Sequence, residues 1–155
     1  MTGFPEPTSG VMDGTVHRYA VRVYYEDTDA GGMVYHANYL RWFERARSDM
    51  LRLLGIDQRA SLDAGEGLFA IADLAIRYLA PARLGDAVHV ETRVEEVRGS
   101  SCVLQQIVSR DDVQLSEARV RAGFIGPDGK PKRQPQAWRD RLAALIVNPE
   151  GRKTS

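Results

Sequence analysis

One cysteine, Cys102, in 155 residues leaves no intrachain disulfide framework and no multi-cysteine metal site. Histidine is equally sparse: His17, His36 and His89 stand too far apart for a local metal-binding pair. Charge of one sign is missing, because 21 Lys+Arg balance 21 Asp+Glu. That balance argues against a nucleic-acid binder with a strongly basic surface and against an acidic disordered chain. No apolar run approaches the ~18 residues of a membrane span. The first residues lack a charged region followed by an apolar one, so no secretory signal is expected and the cytoplasm is the default compartment. No G-x-S-x-G elbow, GxGxxG turn or Walker loop occurs. The run Asp27-Thr28-Asp29-Ala30-Gly31-Gly32 begins like a calcium-binding EF-hand loop. It fails at the fifth ligand, Gly31, and at the twelfth position, where Asn38 replaces Glu. No metal is expected.

The 43% hydrophobic content and the length fit one domain with one sizeable core. The balanced charge hides an asymmetry. Residues 1–127 carry 14 basic and 18 acidic side chains, whereas residues 128–155 carry 7 and 3. All three lysines, Lys130, Lys132 and Lys153, lie in that basic end. A solvated terminus accounts for it, and so does a surface for anionic partners.

Residues 1–16 mix glycine and proline without periodicity and read as a flexible lead-in. His17–Glu26 alternates as a strand and ends in a loop, Asp27–Met33. From Tyr39 the apolar residues recur as Phe43, Ala46, Met50 and Leu53, the spacing of one helix face, and Gly55 stands where a left-handed terminating residue belongs. After the polar stretch Gln58–Gly67 come four strand-like segments: Leu68–Leu79, Ala87–Val97, Cys102–Arg110 and Gln114–Ile125. Val88, Val90, Thr92 and Val94 alternate with His89, Glu91, Arg93 and Glu95, as in a sheet with one wet face. The order predicts an α+β domain over residues 17–135: a five-stranded antiparallel sheet, four strands of it in a meander, wrapped around one long helix. A short helix from Gln136 and a polar tail complete residues 136–155. A single sheet on one helix leaves apolar surface uncovered, so a homodimer is expected.

The segment Tyr24–Arg47 concentrates the chemistry. Three acids, two glycines, a histidine and an asparagine lie between a strand end and a buried helix. Glycines let backbone approach a ligand, and the unpaired N–H groups at a helix start can polarise a carbonyl. An Asp facing them can attack an acyl group or activate water. Asp-Thr-Asp before Gly-Gly is also ordinary turn chemistry, with Asp side chains closing Asx-turns. His36 at a helix start also suits capping or packing. Cys102 reads as a core residue rather than a nucleophile.

The run Val23-Tyr24-Tyr25-Glu26-Asp27-Thr28-Asp29-Ala30-Gly31-Gly32-Met33-Val34-Tyr35-His36-Ala37-Asn38-Tyr39 resembles the signature of the YbgC-like acyl-CoA thioesterases, akin to the 4-hydroxybenzoyl-CoA thioesterases of the hotdog fold. Glu44–Arg47, Met50–Arg52, Tyr78–Asp86 and Arg98–Ser101 continue the likeness, which covers about residues 18–135. The resemblance implies a hotdog fold and hydrolysis of acyl-CoA to a free acid and CoA, with CoA as part of the substrate and no separate cofactor. It places the catalytic carboxylate on Asp29, as nucleophile or general base, and the oxyanion position on His36, through its backbone N–H. It puts Val34 and Tyr35 along the thioester, and Arg98, Gly99, Ser100 and Ser101 in a turn near the CoA phosphates. A plain hairpin explains that turn as well. Glu44, Arg45 and Arg47 are expected to form structural ion pairs on the helix. Phe69, Ile71, Leu53, Leu54 and a partner subunit are expected to shape an apolar tunnel. A homodimer or homotetramer follows from the resemblance, as does association with the Tol-Pal envelope system, acyl carrier protein or phospholipid synthesis, peripheral to a membrane; the balanced charge already argues against a nucleic-acid partner. Two rivals remain: a hotdog dehydratase, whose His and acidic pair is not visible here, and a non-catalytic scaffold binding acyl carrier protein.

Overall fold

The chain doubles back at Gly14, whose backbone takes the left-handed φ of +63° that only glycine adopts freely. In the computed structural model, which describes residues 3–147, this turn joins β1 (Val11–Asp13) to β2 (Val16–Arg22). β2 leads through a single 3₁₀ turn, Tyr25–Asp27, to the long helix α1 (Asn38–Leu53). A short helix α2 (Gln58–Asp63) follows, then β3 (Leu68–Tyr78), β4 (Ala87–Val97), β5 (Ser101–Arg110), β6 (Val113–Ile125) and helix α3 (Gln136–Ala143). The six strands form one antiparallel sheet in the order β1-β2-β4-β5-β6-β3, with α1 against one face.

α1 is helical because its apolar residues fall on one stripe and its end is properly closed. Phe43, Ala46 and Met50 are fully buried, and Tyr39 and Trp42 nearly so. Past the last turn, Gly55 at φ +77° lets its N–H reach the Arg52 carbonyl at 3.0 Å and the Ile56 N–H reach Leu51 at 2.9 Å. That pair of bonds is the Schellman closure, with Ile56 packed back into the core. Two apolar clusters divide the interior along the helix. One gathers Tyr39, Phe43 and Ala46 against Val88, Val90, Val108 and Val120. The other gathers Met50 and Leu51 against Leu104, Phe124, Trp138 and Leu142, so α3 closes that end of the core. Burying each such side chain contributes roughly 1.5–3 kcal/mol.

Four expectations change. The sheet has a sixth strand, because residues read as a flexible lead-in form β1. Gly10 there donates its N–H to Asp49 Oδ2 (2.8 Å), which also bonds the buried His17 Nε2 (2.7 Å). The first strand ends at Arg22 rather than Glu26, since residues 25–27 turn into a 3₁₀ helix. The polar stretch from Gln58 holds a helix, capped by Asp57, whose Oδ1 accepts from the Ala60 N–H. The four later strands are not a simple meander: β4, β5 and β6 are one, but β3 pairs with β6 and not with β4. The Pro81–Gly85 link is therefore a crossover past the start of α1, where the Ala82 N–H donates to Tyr39 Oη (3.0 Å). The short edge of the sheet is β1, and the long edge is the eleven-residue β3. Among the described residues no helix is long and apolar enough to cross a membrane. Part of the basic end, including Lys153 and the polar tail, lies outside the described residues.

Candidate active site

The loop between β2 and α1 is held by its two aspartates in opposite ways. Asp27 is buried and both its oxygens are used: Oδ2 accepts from the Tyr24 N–H (2.8 Å) and Oδ1 from the Asn38 side-chain amide (2.6 Å). Its carbonyl also accepts from the Tyr35 N–H at 2.9 Å. Asp27 thereby ties the 3₁₀ turn to the first residue of α1. Asp29 is exposed, and only one of its oxygens is engaged. Oδ1 accepts from the Gly31 N–H (2.8 Å) and the Met33 N–H (3.3 Å), which closes an Asx-type turn. Oδ2 has no protein partner among the described residues. The turn reading and the catalytic reading of Asp29 thus share one side chain, through different oxygens.

The loop returns through a bridge between Thr28 and Val34, and the Asp29 N–H donates to the Met33 carbonyl (2.8 Å). Val34 is buried and donates its N–H to the Ala82 carbonyl (2.9 Å), whereas Tyr35 and His36 are exposed. Ala37 caps α1 without any side-chain bond, and no acid occupies the first turn. The His36 N–H, one residue ahead of this cap, has no protein acceptor among the described residues and lies near the positive end of the helix dipole. The His36 ring does not cap; it lies against Tyr35, with centroids 4.6 Å apart, and edge-on to Tyr78 at 6.2 Å. Tyr78 Oη donates to the His36 carbonyl (2.8 Å), which fixes this residue from the β3 side. Asp27, Asn38 and Tyr78 are the positioning residues that sequence reasoning missed. The buried pairing of an Asp with an Asn eleven positions later is their signal, visible only once the helix start is known.

Arg98–Ser101 form the turn between β4 and β5, as expected, but at the other end of the sheet. The active-site loop is anchored where β4 begins, through Met33 paired with Arg83 and the Val23 N–H bonded to Asp86 (2.9 Å). The turn follows where β4 ends, about 33 Å away at ~3.3 Å per residue. One chain therefore groups Asp29, Val34, Tyr35 and His36 and leaves the turn apart. The turn itself is braced by Gln134, whose N–H donates to Gly99 (2.9 Å) and whose side-chain amide donates to the Arg98 and Ser101 carbonyls (2.8 and 3.2 Å). This brings Lys132 and Arg133 beside Arg98 and Ser100 around one open concavity. Arg98 also pairs with Glu96. Sequence reasoning noted the basic end but could not place it on this turn.

The expected ion pairs of Glu44, Arg45 and Arg47 do not form among the described residues. Glu44 accepts from Ser48 Oγ (2.8 Å), and the buried Arg47 donates to Gln106 Oε1 (3.0 Å). Arg47 turns inward because its position lies on the buried side of α1. Leu53 is 40% exposed and does not join Phe69 and Ile71, which line a cavity with Met50 and Leu51 instead; Leu54 is likewise absent from it. Cys102 is a core residue, and burial pushes its thiol up to about 11, so it is no nucleophile at neutral pH.

The thioesterase superfamily model matches residues 31–117. The acyl-CoA thioester hydrolase YbgC of Escherichia coli O6:H1 is 43% identical over 128 residues, 81% of this chain and 95% of that one. The acyl-CoA thioesterase YbgC of Haemophilus influenzae is 46% identical over 107 residues, 69% of this chain and 79% of that one. Among solved structures, a probable thioesterase from Bartonella henselae superposes with a TM-score of 0.73 at 32% identity, over 77% of this chain and 99% of that one. With its α+β hotdog architecture, the chain belongs to the thioesterase superfamily and stands among its YbgC thioester hydrolases.

Proposed function

We propose that this thioester hydrolase cleaves acyl-CoA to a free acid and CoA, with Asp29 as the reacting carboxylate and the His36 N–H as the oxyanion donor. The observation that carries this reading is the unengaged Oδ2 of Asp29, in a loop whose other end is the uncapped start of α1. The thioester carbonyl would accept from the His36 N–H, where the helix dipole favours developing negative charge. Asp29 would then either bond to the acyl carbon or take a proton from the water that does. In both routes the C–S bond breaks, water supplies the acid's new oxygen, and the thiolate of CoA leaves and is protonated. Val34 and Tyr35 would flank the thioester.

The substrate's phosphates fit the other end, where Arg98, Lys132 and Arg133 converge with the hydroxyls of Ser100 and Ser101 over Gly99. A dimer supplies the missing juxtaposition. β3 is a long edge with unpaired backbone groups, and it exposes Ile71 (47%) and Tyr78 (45%). Antiparallel pairing of β3 with its own copy sets the Tyr78 end, next to His36, beside the Leu68 end of the partner. The partner's β4–β5 turn lies on that side of the sheet, since Ser100 bonds the Phe124 N–H (2.7 Å) and Phe124 pairs with Phe69. The same basic turn also suits an acidic acyl carrier protein, so thiol release is the discriminating measurement. Asp29→Asn should keep the fold and lose on the order of 10²–10⁴ in turnover of an acyl-CoA panel. Unchanged turnover would overturn the assignment, and carrier-protein binding without thiol release from any substrate would favour a scaffold.

A further inference from the structure

The second apolar cluster encloses a cavity of about 120 Å³ between the C-terminal half of α1, β3 and β5. Its walls are mainly apolar, with Met50, Leu51, Phe69, Leu104 and Leu142. Four polar residues join them, Glu44, Arg47, Ser48 and Gln58, and of these Arg47 is the buried cation, 9% exposed. Its guanidinium has five N–H donors. Among the described residues it makes a single protein hydrogen bond, from Nη1 to Gln106 Oε1 (3.0 Å). No carboxylate forms an ion pair with it among the described residues. Gln106 is committed elsewhere, since its amide donates to the Phe43 carbonyl and to Thr92 Oγ1, both at 2.9 Å. Glu44 also lines the cavity, exposed and bonded to Ser48; its charge acts on Arg47 and favours the guanidinium, but no direct ion pair joins them. Burial drives the guanidinium down from its usual value. A buried cation short of acceptors is costly unless something pairs with it. The planar fork of Arg is shaped for a carboxylate.

We propose that this cavity receives the far end of the acyl group, and that Arg47 selects short acyl chains ending in a carboxylate. The proposal rests on the acyl-CoA reading above, and on β3 pairing that places the cavity beside the reacting carboxylate of a second copy. The cavity is small compared with sites for drug-sized ligands, which keeps the chain short. Phe69 and Leu104 would cover its methylenes, and Cys102 would contribute a neutral thiol.

The test uses glutaryl-CoA and valeryl-CoA, equal in chain length and differing in the terminal group. Binding of their non-hydrolysable thioether analogues to the full chain is measured by calorimetry, so that the outcome does not depend on turnover. The glutaryl analogue should bind at least tenfold more tightly, and Arg47→Gln should abolish that preference while binding of the valeryl analogue changes little. Equal binding, or tighter binding of the valeryl analogue, by the wild-type protein overturns the proposal. A preference that survives in Arg47→Gln overturns the role of Arg47. Should Arg47→Gln not fold, Arg47→Lys keeps the charge but loses the fork. It should weaken binding of the glutaryl analogue alone, and an equal loss for both analogues would count against the proposal. Thiol release from the true thioesters is scored separately. Its absence alongside a retained binding preference would sink the hydrolase reading and leave the cavity's selectivity standing.

Discussion

The two ends of the sheet are built on opposite principles. At the α1 end, a buried carboxylate, a side-chain amide, a tyrosine hydroxyl and several backbone bonds hold the loop from Asp27 to Asn38. Asp29 Oδ2 and the His36 N–H have no protein partner among the described residues, and they are the groups proposed for chemistry. At the β4–β5 end the backbone is braced by Gln134, and Arg98, Lys132 and Arg133 line an open concavity, with Arg98 paired to Glu96 and the Lys132 ammonium bonded to the Glu66 carbonyl (2.9 Å). A reacting centre needs fixed geometry. A phosphate subsite needs charge and reach, and tolerates open solvent. In the proposed dimer each site would therefore draw its two ends from different copies, since about 33 Å separates them within one chain.

The contrast can be broken at either end. After Asp29 itself, the largest effect is expected from Asp27→Ala, which strands the buried Asn38 amide and frees the part-buried Tyr24 N–H. Roughly 1–3 kcal/mol per unsatisfied group should be lost, read as a lower denaturant midpoint. Turnover should fall more than tenfold while KM changes less, because the loop loses its register with α1. At the open end, Arg98→Gln combined with Arg133→Gln should raise KM for acyl-CoA by about 30–150-fold, at ~1–1.5 kcal/mol for each of the two charged contacts, with kcat within about twofold. The same pair should flatten the salt dependence of kcat/KM. A variant that lowers kcat instead would show that the turn belongs to the reacting centre.

The smallest effect is a pH signature of the core between the two ends. Cys102 is buried, and its thiol is pushed from 9.0 to about 11. The unfolded chain loses this proton first, so between those values the native state holds more protons and stability falls as pH rises. About 2–3 kcal/mol should disappear across that window. Cys102→Ala should remove this alkaline slope while carrying its own cavity cost at all pH values.

The local half of this architecture was legible in the residues. Alternation in β4 and the stripe of α1 are short-range patterns, and Gly55 ended the helix where its left-handed backbone was needed. The glycines and acids of residues 27–32 announced a built loop. Pairing over long separations was not legible. Nothing in β3 says that it joins β6 rather than β4, because both offer similar alternating faces. β1 has only three residues, too few for a period, and its place depends on Gly10 meeting the His17–Asp49 pair. Lys132 and Arg133 read as a solvated end because the bond that returns them to the turn, through Gln134, spans more than thirty residues. Arg47 read as an ion-pair partner because a helix face cannot be assigned to interior or surface from charge alone.

In the proposed dimer one working site takes Asp29 from one copy and the basic turn from another. Co-expressed chains with different tags, one carrying Asp29→Asn and the other Arg98→Gln with Arg133→Gln, allow purification of dimers that contain one of each. In such a dimer a site shared between copies places both defects together and leaves the second site intact. A site shared in this way gives about half the wild-type kcat/KM at the wild-type KM. Activity no higher than the mean of the two parent variants would contradict it and return the whole site to a single chain.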